Sequence, residues 1–304
     1  MSNRLRADLT LFLVAIIWGS AFVVQRVAAA TIGPILFNGC RFLLGGLILL
    51  VLVRFRLKIE RENRLWVVAT GLVLASASFL QQAGLQWTTA GNAGFITGLY
   101  VVFIPLMLLA IWRHRLGWIT WMAVGIAALG IFLLSANGKF ELAPGDGLEL
   151  AGAVLWAVHV LLVSKAMEKM EVLPFAIGQY LVAGVVSLVA GIGLESNTLP
   201  GILSTWWSIA YVGILSVAVG YTLQALAQKH APPVDASLIM SLEAVFAALF
   251  GFLVLGEVLG PLQKLGAGLI MTAIVISQFG SPARKPAETP TLAPGENTDL
   301  TNSI

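Results

Sequence analysis

Apolar residues gather into stretches of about 20 along this chain, each closed by a short polar or glycine- and proline-rich break. A helix of about 20 residues covers a hydrocarbon core of about 30 Å, so each stretch is predicted to be a transmembrane helix. Ten follow in order, over residues 9–28, 34–54, 66–85, 92–112, 116–134, 147–166, 174–193, 206–227, 235–255 and 262–279. The breaks, such as Ile32-Gly33-Pro34, Pro144-Gly145-Asp146-Gly147 and Ala231-Pro232-Pro233, leave no room for a soluble domain. Residues 281–304 carry four prolines and almost no large apolar residue, the composition of a disordered tail.

Composition agrees with this pattern. Of the 304 residues 58% are hydrophobic and 11% charged, where a soluble domain has about 25% charged residues. The bilayer is therefore the chain's expected solvent and partner. The net charge of +3 does not point to nucleic acid, because the basic residues sit in clusters between the apolar runs. Those clusters are the N-terminus (Arg4, Arg6), the second loop (Arg54, Arg56, Lys58, Arg61, Arg64), the fourth (Arg113, Arg115), the sixth (Lys165, Lys169), the eighth (Lys229) and the tail (Arg284, Lys285). The other side has little beyond Arg26, Lys139 and Lys264, so both termini are predicted to be cytoplasmic. Arg4, Arg6, the apolar residues 9–24 and Ala28-Ala29-Ala30 also imitate a cleaved secretory signal. The run is long for that role, and Gln25-Arg26 interrupts it before the alanines, so it is read as the first helix. Cys40 is the single cysteine, which excludes an intramolecular disulfide and a CxxC metal or redox motif.

The chain also repeats itself. WGSAFVVQR (18–26) corresponds to WAVHVLLVSK (156–165), Pro34 to Pro174, and Asn92-Ala93-Gly94-Phe95 to Asp235-Ala236-Ser237-Leu238 about 143 residues later. Five helices per half is an odd number, so the second half enters the membrane upside down, as in many secondary transporters whose site lies between the halves near the midplane. The predicted organisation is a cytoplasmic N-terminus (1–8), a first five-helix repeat (9–140), a second (141–280) and the cytoplasmic tail (281–304). The fold class is an all-α polytopic membrane protein.

The segments IIWGSAFVVQR in the first helix, the arginine of NGCRFLLGG in the second, and ASLIMSLEAVFAALFGFLVLGEVLGPLQKLGAGLIMTA across the last two resemble the drug/metabolite transporter superfamily, specifically its ten-helix EamA-type exporters. The likeness spans residues 9–279 and is most specific at Glu243, Leu255-Gly256-Glu257 and Gly266 to Gly268. Ala244 stands where the family usually has proline, which puts the family's helix kink in question. The resemblance implies export of amino acids, related metabolites or toxic analogues across the inner membrane without ATP hydrolysis. Independently, the chain has no GxxxxGK[ST] loop, and nothing in it calls for a cofactor or metal. The driving force is left to a coupled ion, a proton foremost, or to the solute's own gradient.

Charges inside the hydrocarbon are costly, so Arg41, His159 and Glu243 are candidates for function. By helix rise Glu243 lies about 12 Å from the cytoplasmic start of its helix and His159 about 18 Å from the outer start of its own, both near the midplane. Either takes up and releases a proton as the cavity alternates, or locks helix packing through a buried hydrogen bond. Arg41, about 10 Å deep, either attracts a substrate carboxylate or pairs permanently with an acid such as Glu149. The pair is the preferred reading, because the resemblance places an arginine here in exporters of differing substrates.

Uncharged polar side chains in lipid need partners or a wet cavity. Gln81, Gln82 and Gln86, then Asn92, Thr97 and Tyr100, then Tyr221, Gln224 and Gln228 supply them, with several grouped on one helix face. Gln82, Tyr100, Tyr221 and Gln224 are the candidate substrate contacts, whereas Asn92 reads as a helix cap. Trp18 and Trp156 are repeat-related and lie well inside their helices, where they wall a cavity or fill the core; Trp66, Trp87, Trp112, Trp206 and Trp207 read as interface belts. Gly45-Gly46, Gly125, Gly130, Gly266 and Gly268 let helices approach closely.

Other classes fit less well. There is no HExxH or GxSxG motif and no paired intramembrane aspartates, and Ser20 with His159 is a dyad only in imagination. A channel asks for a filter or a ring of like charges. A receptor or scaffold would bind without flux. The expected function is secondary transport of small metabolites, with lipophilic drugs, purines or sugar derivatives as alternative cargo. Oligomeric state is open.

Overall fold

The computed structural model describes residues 2–135, 143–196, 198–258 and 260–280. The expected disordered tail (281–304) and Lys139 lie outside these residues. Ten long helical segments follow in order: α1 (Asn3–Ala29), α2 (Pro34–Leu52), α3 (Arg64–Gly84), α4 (Ala90–Trp112), α5 (Trp118–Ser135), α6 (Asp146–Met167), α7 (Val172–Leu194), α8 (Trp206–Gln228), α9 (Pro233–Leu255) and α10 (Pro261–Gly280). A 3-10 turn, Arg61–Asn63, leads into α3, and a short helix, Thr198–Ser204, precedes α8. No strand occurs among the described residues. Eight segments are long and apolar enough to cross a membrane, and α5 and α10 contribute the shorter apolar stretches Trp118–Leu133 and Pro261–Ser277.

Each predicted helix has its counterpart, and the main difference at the ends is physical. α1 begins at Asn3 rather than at residue 9, because Ser2 Oγ caps it by accepting from Leu5 N (3.2 Å) and Arg4 pairs with Asp8 one turn on (3.2 Å). A polar turn can be helical without being apolar. α2 opens on Pro34, which is pre-set for a first turn, and its next two amides donate to the Glu195 carboxylate at 2.9 Å each.

Three helices are irregular inside. α4 breaks at Leu99, where Val102 N bonds back only three residues (2.9 Å), ahead of Pro105, whose missing N–H cannot serve the normal ladder. α9 breaks at Ser241 although Ala244 replaces the family's proline; there Ser237 and Ser241 donate to the carbonyls of Val234 and Leu238, both at 2.7 Å. Such serine back-bonds bend a helix. α8 is wound in wide π turns from Val212 to Tyr221.

The helices pair α2 with α7, α5 with α10, α1 with α9, α4 with α6, and α3 with α6 and α7, while α8 meets α1 and α2. Advancing every helix number by five returns the same pairs. Small residues set the closest approaches: a Cβ on Gly45 would stand 2.6 Å from Val217 Cγ1, and one on Gly130 would stand 2.7 Å from the Gly266 carbonyl. Gly46 abuts Leu181, whereas Gly125 and Gly268 face open space. Leu47, Val51, Leu72, Leu129, Val189 and Leu253 point outward, a pattern suited to lipid. Trp87, Trp112, Trp206 and Trp207 are exposed near helix ends, but Trp66 packs partly buried beside Val67 and Met170. The ion pairs among the described residues lie at or beside the ends of α1, α6, α7, α8 and α9, with Arg4–Asp235 and Lys229–Glu171 joining two helices.

Candidate functional site

A cavity of about 420 Å³ of non-atomic space lies among α1, α3, α4, α6, α8 and α9. The centres of water-sized molecules reach only about 30 Å³ of it, room for about two or three waters. The free space inside it is therefore small, and the cavity is partly open to its surroundings. Trp18, Ala21, Phe22 and Gln25 enter it from α1 at one-turn spacing, with Gln81 from α3. Thr97 and Tyr100 come from α4, Trp156 and Val160 from α6, Ser216, Tyr221 and Gln224 from α8, and Met240 and Glu243 from α9.

Local irregularity presents these groups. The breaks in α4 and α9 place Tyr100 and Glu243 in the first turn of the second half of each helix, where a helix N-terminus favours negative charge. The Tyr100 hydroxyl faces the Glu243 carboxylate. The π turns of α8 leave the Ser216 carbonyl to accept from Trp18 Nε1 (3.4 Å). Tyr221 is the aromatic hub: its ring centroid lies 4.8 Å from Trp18, 5.9 Å from Trp156 in a stacked arrangement, and 6.3 Å from Tyr180. Trp18 and Trp156 thus both wall the cavity and pack on one tyrosine.

Trp156 Nε1 and both amide atoms of Gln224 lack a protein partner, and the Tyr100 hydroxyl and the Glu243 carboxylate have only each other. Unbonded buried polar groups are expensive, so a cavity that keeps them is a candidate to hold a guest or water. The other two lining amides are engaged, and Gln25 Nε2 donates to the Ala21 carbonyl (3.2 Å). Gln81 Nε2 donates to Thr97 Oγ1 (3.1 Å), which donates to Glu149 Oε2 (3.2 Å).

Of the residues singled out by sequence, Trp18, Tyr100, Trp156, Tyr221, Gln224 and Glu243 share this wall. Gln82, His159 and Arg41 stand behind it. Gln82 Nε2 donates to the Gln25 carbonyl (3.1 Å). His159 Nε2 bonds Gln179 Oε1 (3.0 Å) and sets its ring edge-on to Trp156 and Tyr221. The Arg41–Glu149 pair does not form: Arg41 Nη1 donates to Gln25 Oε1, and Glu149 is taken by Thr97. Ser20 bonds Tyr211 (2.8 Å), so it makes no dyad with His159. Gln228 bonds the Val160 carbonyl (3.1 Å) and Ser164 (2.7 Å), tying α8 to α6. Gln25 went unmarked as a site residue, although its spacing from Trp18 and Phe22 places it on their face.

At the end of α4 nearest Ala90, Asn92 Nδ2 donates to Asp146 Oδ1 (2.8 Å) and Thr88 Oγ1 (2.9 Å). Glu257, in the link after α9, accepts from the Ala90 and Gly91 amides; burial holds its carboxyl above the usual range, against those bonds and the nearby Arg26 charge. At the start of α9, Asp235 accepts from Arg4 Nη2 (2.8 Å).

The pattern of the EamA-like transporter family matches residues 5–136 and 143–279. An "Uncharacterized transporter" of Archaeoglobus fulgidus is 32% identical over 282 residues, covering 90% of this chain and 86% of its own. The "Uncharacterized inner membrane transporter YedA" of Escherichia coli K12 is 27% identical, covering 89% and 90%. The "Threonine/homoserine exporter RhtA" of the same strain is 28% identical, covering 77% and 78%. A solved crystal structure superposes with a TM-score of 0.75 at 19% identity, over 91% of this chain and 97% of that one. That likeness shows the fold.

Proposed function

The chain belongs to the EamA-like transporter family, and from that premise we propose that it is a secondary carrier exporting amino acids or related small metabolites by alternating access. The observation that carries this reading is a small cavity between helices of both halves, lined in part by polar groups with no protein partner. A solute binding there meets groups from α4, α6, α8 and α9, so rocking one half against the other changes its exposure without dismantling the site. Glu243, the one carboxylate in the lining, is the group proposed to couple proton movement to solute movement, with His159 and Arg41 behind it. The reading includes two inverted halves, both termini in the cytoplasm and an inner-membrane location, the last supported by the name of the YedA relative. Export of threonine-like solutes is supported by the RhtA relative. The aromatic wall of Trp18, Trp156 and Tyr221 favours a second class of cargo, purines or lipophilic drugs, which stack on flat rings.

Counterflow in proteoliposomes tests this. Vesicles carrying the full chain are loaded with unlabelled amino acids, purines and amines, and each labelled compound is offered outside. Transient accumulation of one compound is expected. Glu243→Gln is expected to keep exchange and lose uptake driven by a pH gradient. A mutant that still responds to the gradient removes Glu243 from coupling, and no accumulation of any compound sinks the carrier reading.

A further inference from the structure

Arg41 is the largest fully buried side chain, 1% exposed, and its charge is not balanced by any ion pair among the described residues. Its one hydrogen-bond acceptor is the neutral Oε1 of Gln25; Nε and Nη2 have no partner. The Phe37 and Phe42 rings lie 5.5 and 4.9 Å from the guanidinium carbon, which partly compensates the charge. Asn38, one turn earlier on the same face, is 0% exposed with both amide atoms unpartnered. A buried cation without a counter-ion costs several kcal/mol, and this one is separated from the cavity by a single side chain, Gln25, which itself lines the wall.

We propose that Arg41 and Gln25 form the carboxylate subsite of the cavity, with Gln25 as a surrogate acceptor that yields its place to the carboxylate of an α-amino acid while the ammonium engages Glu243. This rests on the carrier reading and names the solute by charge. The cavity has a cationic pole behind Gln25 and an acidic pole at Glu243, whose carboxyl faces the Tyr100 hydroxyl. A zwitterion brings no net charge into the membrane interior, so it answers both poles at less electrostatic cost than an anion or a cation alone. Gln25 is suited to the exchange because a neutral amide holds the guanidinium less tightly than a carboxylate would.

The test uses the full chain in proteoliposomes and three probes: L-threonine, threoninol, which lacks the carboxylate, and 3-hydroxybutyrate, which lacks the amine. Thermal stabilisation and counterflow are read together. Threonine is expected to act at concentrations at least about tenfold lower than either analogue. Arg41→Met is expected to keep the fold, since it removes an unbalanced charge, and to lower threonine to the level of threoninol. Gln25→Glu, which fills the subsite permanently, is expected to raise thermal stability and abolish the preference for threonine, so the proposal stays testable should Arg41→Met misfold. Equal action of threonine and threoninol on the wild type overturns the proposal, as does a threonine preference surviving in both variants. Stabilisation of the wild type by chloride as well as by threonine, lost for both in Arg41→Met, assigns the pocket to an inorganic anion and also overturns it. Silence of all three probes while a purine or amine counterflows defeats the subsite but leaves the carrier reading standing; silence of every solute defeats both.

Discussion

α4 and α9 occupy matching places in the two halves, yet the same positions carry different chemistry. Asn92 at the start of α4 corresponds to Asp235 at the start of α9, and the same spacing relates Tyr100 to Glu243 beyond each break. In α4 both positions are neutral: Asn92 donates to Asp146, and Tyr100 offers a hydroxyl. In α9 both are acids: Asp235 takes an ion pair from Arg4, and Glu243 stands in the cavity. The geometry of a break near mid-span is shared, but charge has been placed on one side only. A repeat therefore fixes where a group is presented and leaves open what that group does.

Packing differs as well, and it offers the strongest way to break the comparison. α9 meets α1 so closely at Gly19 that a Cβ there would fall on the Phe246 Cβ and within 2.9 Å of the Ala247 backbone nitrogen. α4 meets α9 at Gly94, where a Cβ would stand 2.8 Å from the Ala247 methyl and 3.6 Å from Ala244 Cα. Gly19→Leu is expected to cost more than about 3 kcal/mol and to abolish monodisperse protein on size-exclusion chromatography, whereas Gly94→Ala costs about 1 kcal/mol in a thermal melt. Equal losses would mean that the two contacts are equally deformable.

Exchanging the chemistry comes next. Asn92→Asp sets a second carboxylate against Asp146 in place of a hydrogen-bond donor and should destabilise by about 2 kcal/mol. A thermal melt beside the wild type reads the loss, and an unchanged melting temperature would show that Asp146 tolerates the second acid. The reverse change, Asp235→Asn, leaves Arg4 with Asp8 and is expected to cost about 1 kcal/mol, since the pair is only partly buried. High salt should shrink that difference.

The smallest expected effect lies at Glu257. Burial raises its carboxyl in the folded state, so its contribution is fully present below the ordinary carboxyl range and is lost as pH rises through the raised value. Glu257→Gln keeps an acceptor for the Ala90 and Gly91 amides and is expected to leave the melting temperature at acid pH nearly unchanged while flattening its fall toward neutrality. An unaltered pH profile would show that another group sets the slope.

Much of the architecture could be read along the chain. The repeat brought Trp18 and Trp156 forward, helix spacing Tyr221 and Gln224, and intramembrane charge Glu243, and all five line the cavity. Adjacent glutamines exposed the limit of that reading. Gln81 and Gln82 differ by about 100° of helix rotation, and local composition does not say which faces inward; the structure turns Gln81 to the cavity and Gln82 to the Gln25 carbonyl. Gln25 looked like a mere interruption of an apolar run. Its role depends on Arg41 in the next helix and on the cavity beyond it.

The sequence by itself determined the solvent and the number of helices, because crossing a hydrocarbon layer is a local requirement on length and polarity that each segment meets alone. It also aligned Trp18 with Trp156 and Asn92 with Asp235. Tertiary structure decided the partnerships: Arg41 with Gln25 rather than Glu149, Glu149 with Thr97, and Arg4 with Asp235 across 231 residues. Those choices depend on how helices rotate and how near they pack, which is set by glycine contacts and by the breaks in α4, α8 and α9 acting together, and no single segment encodes them.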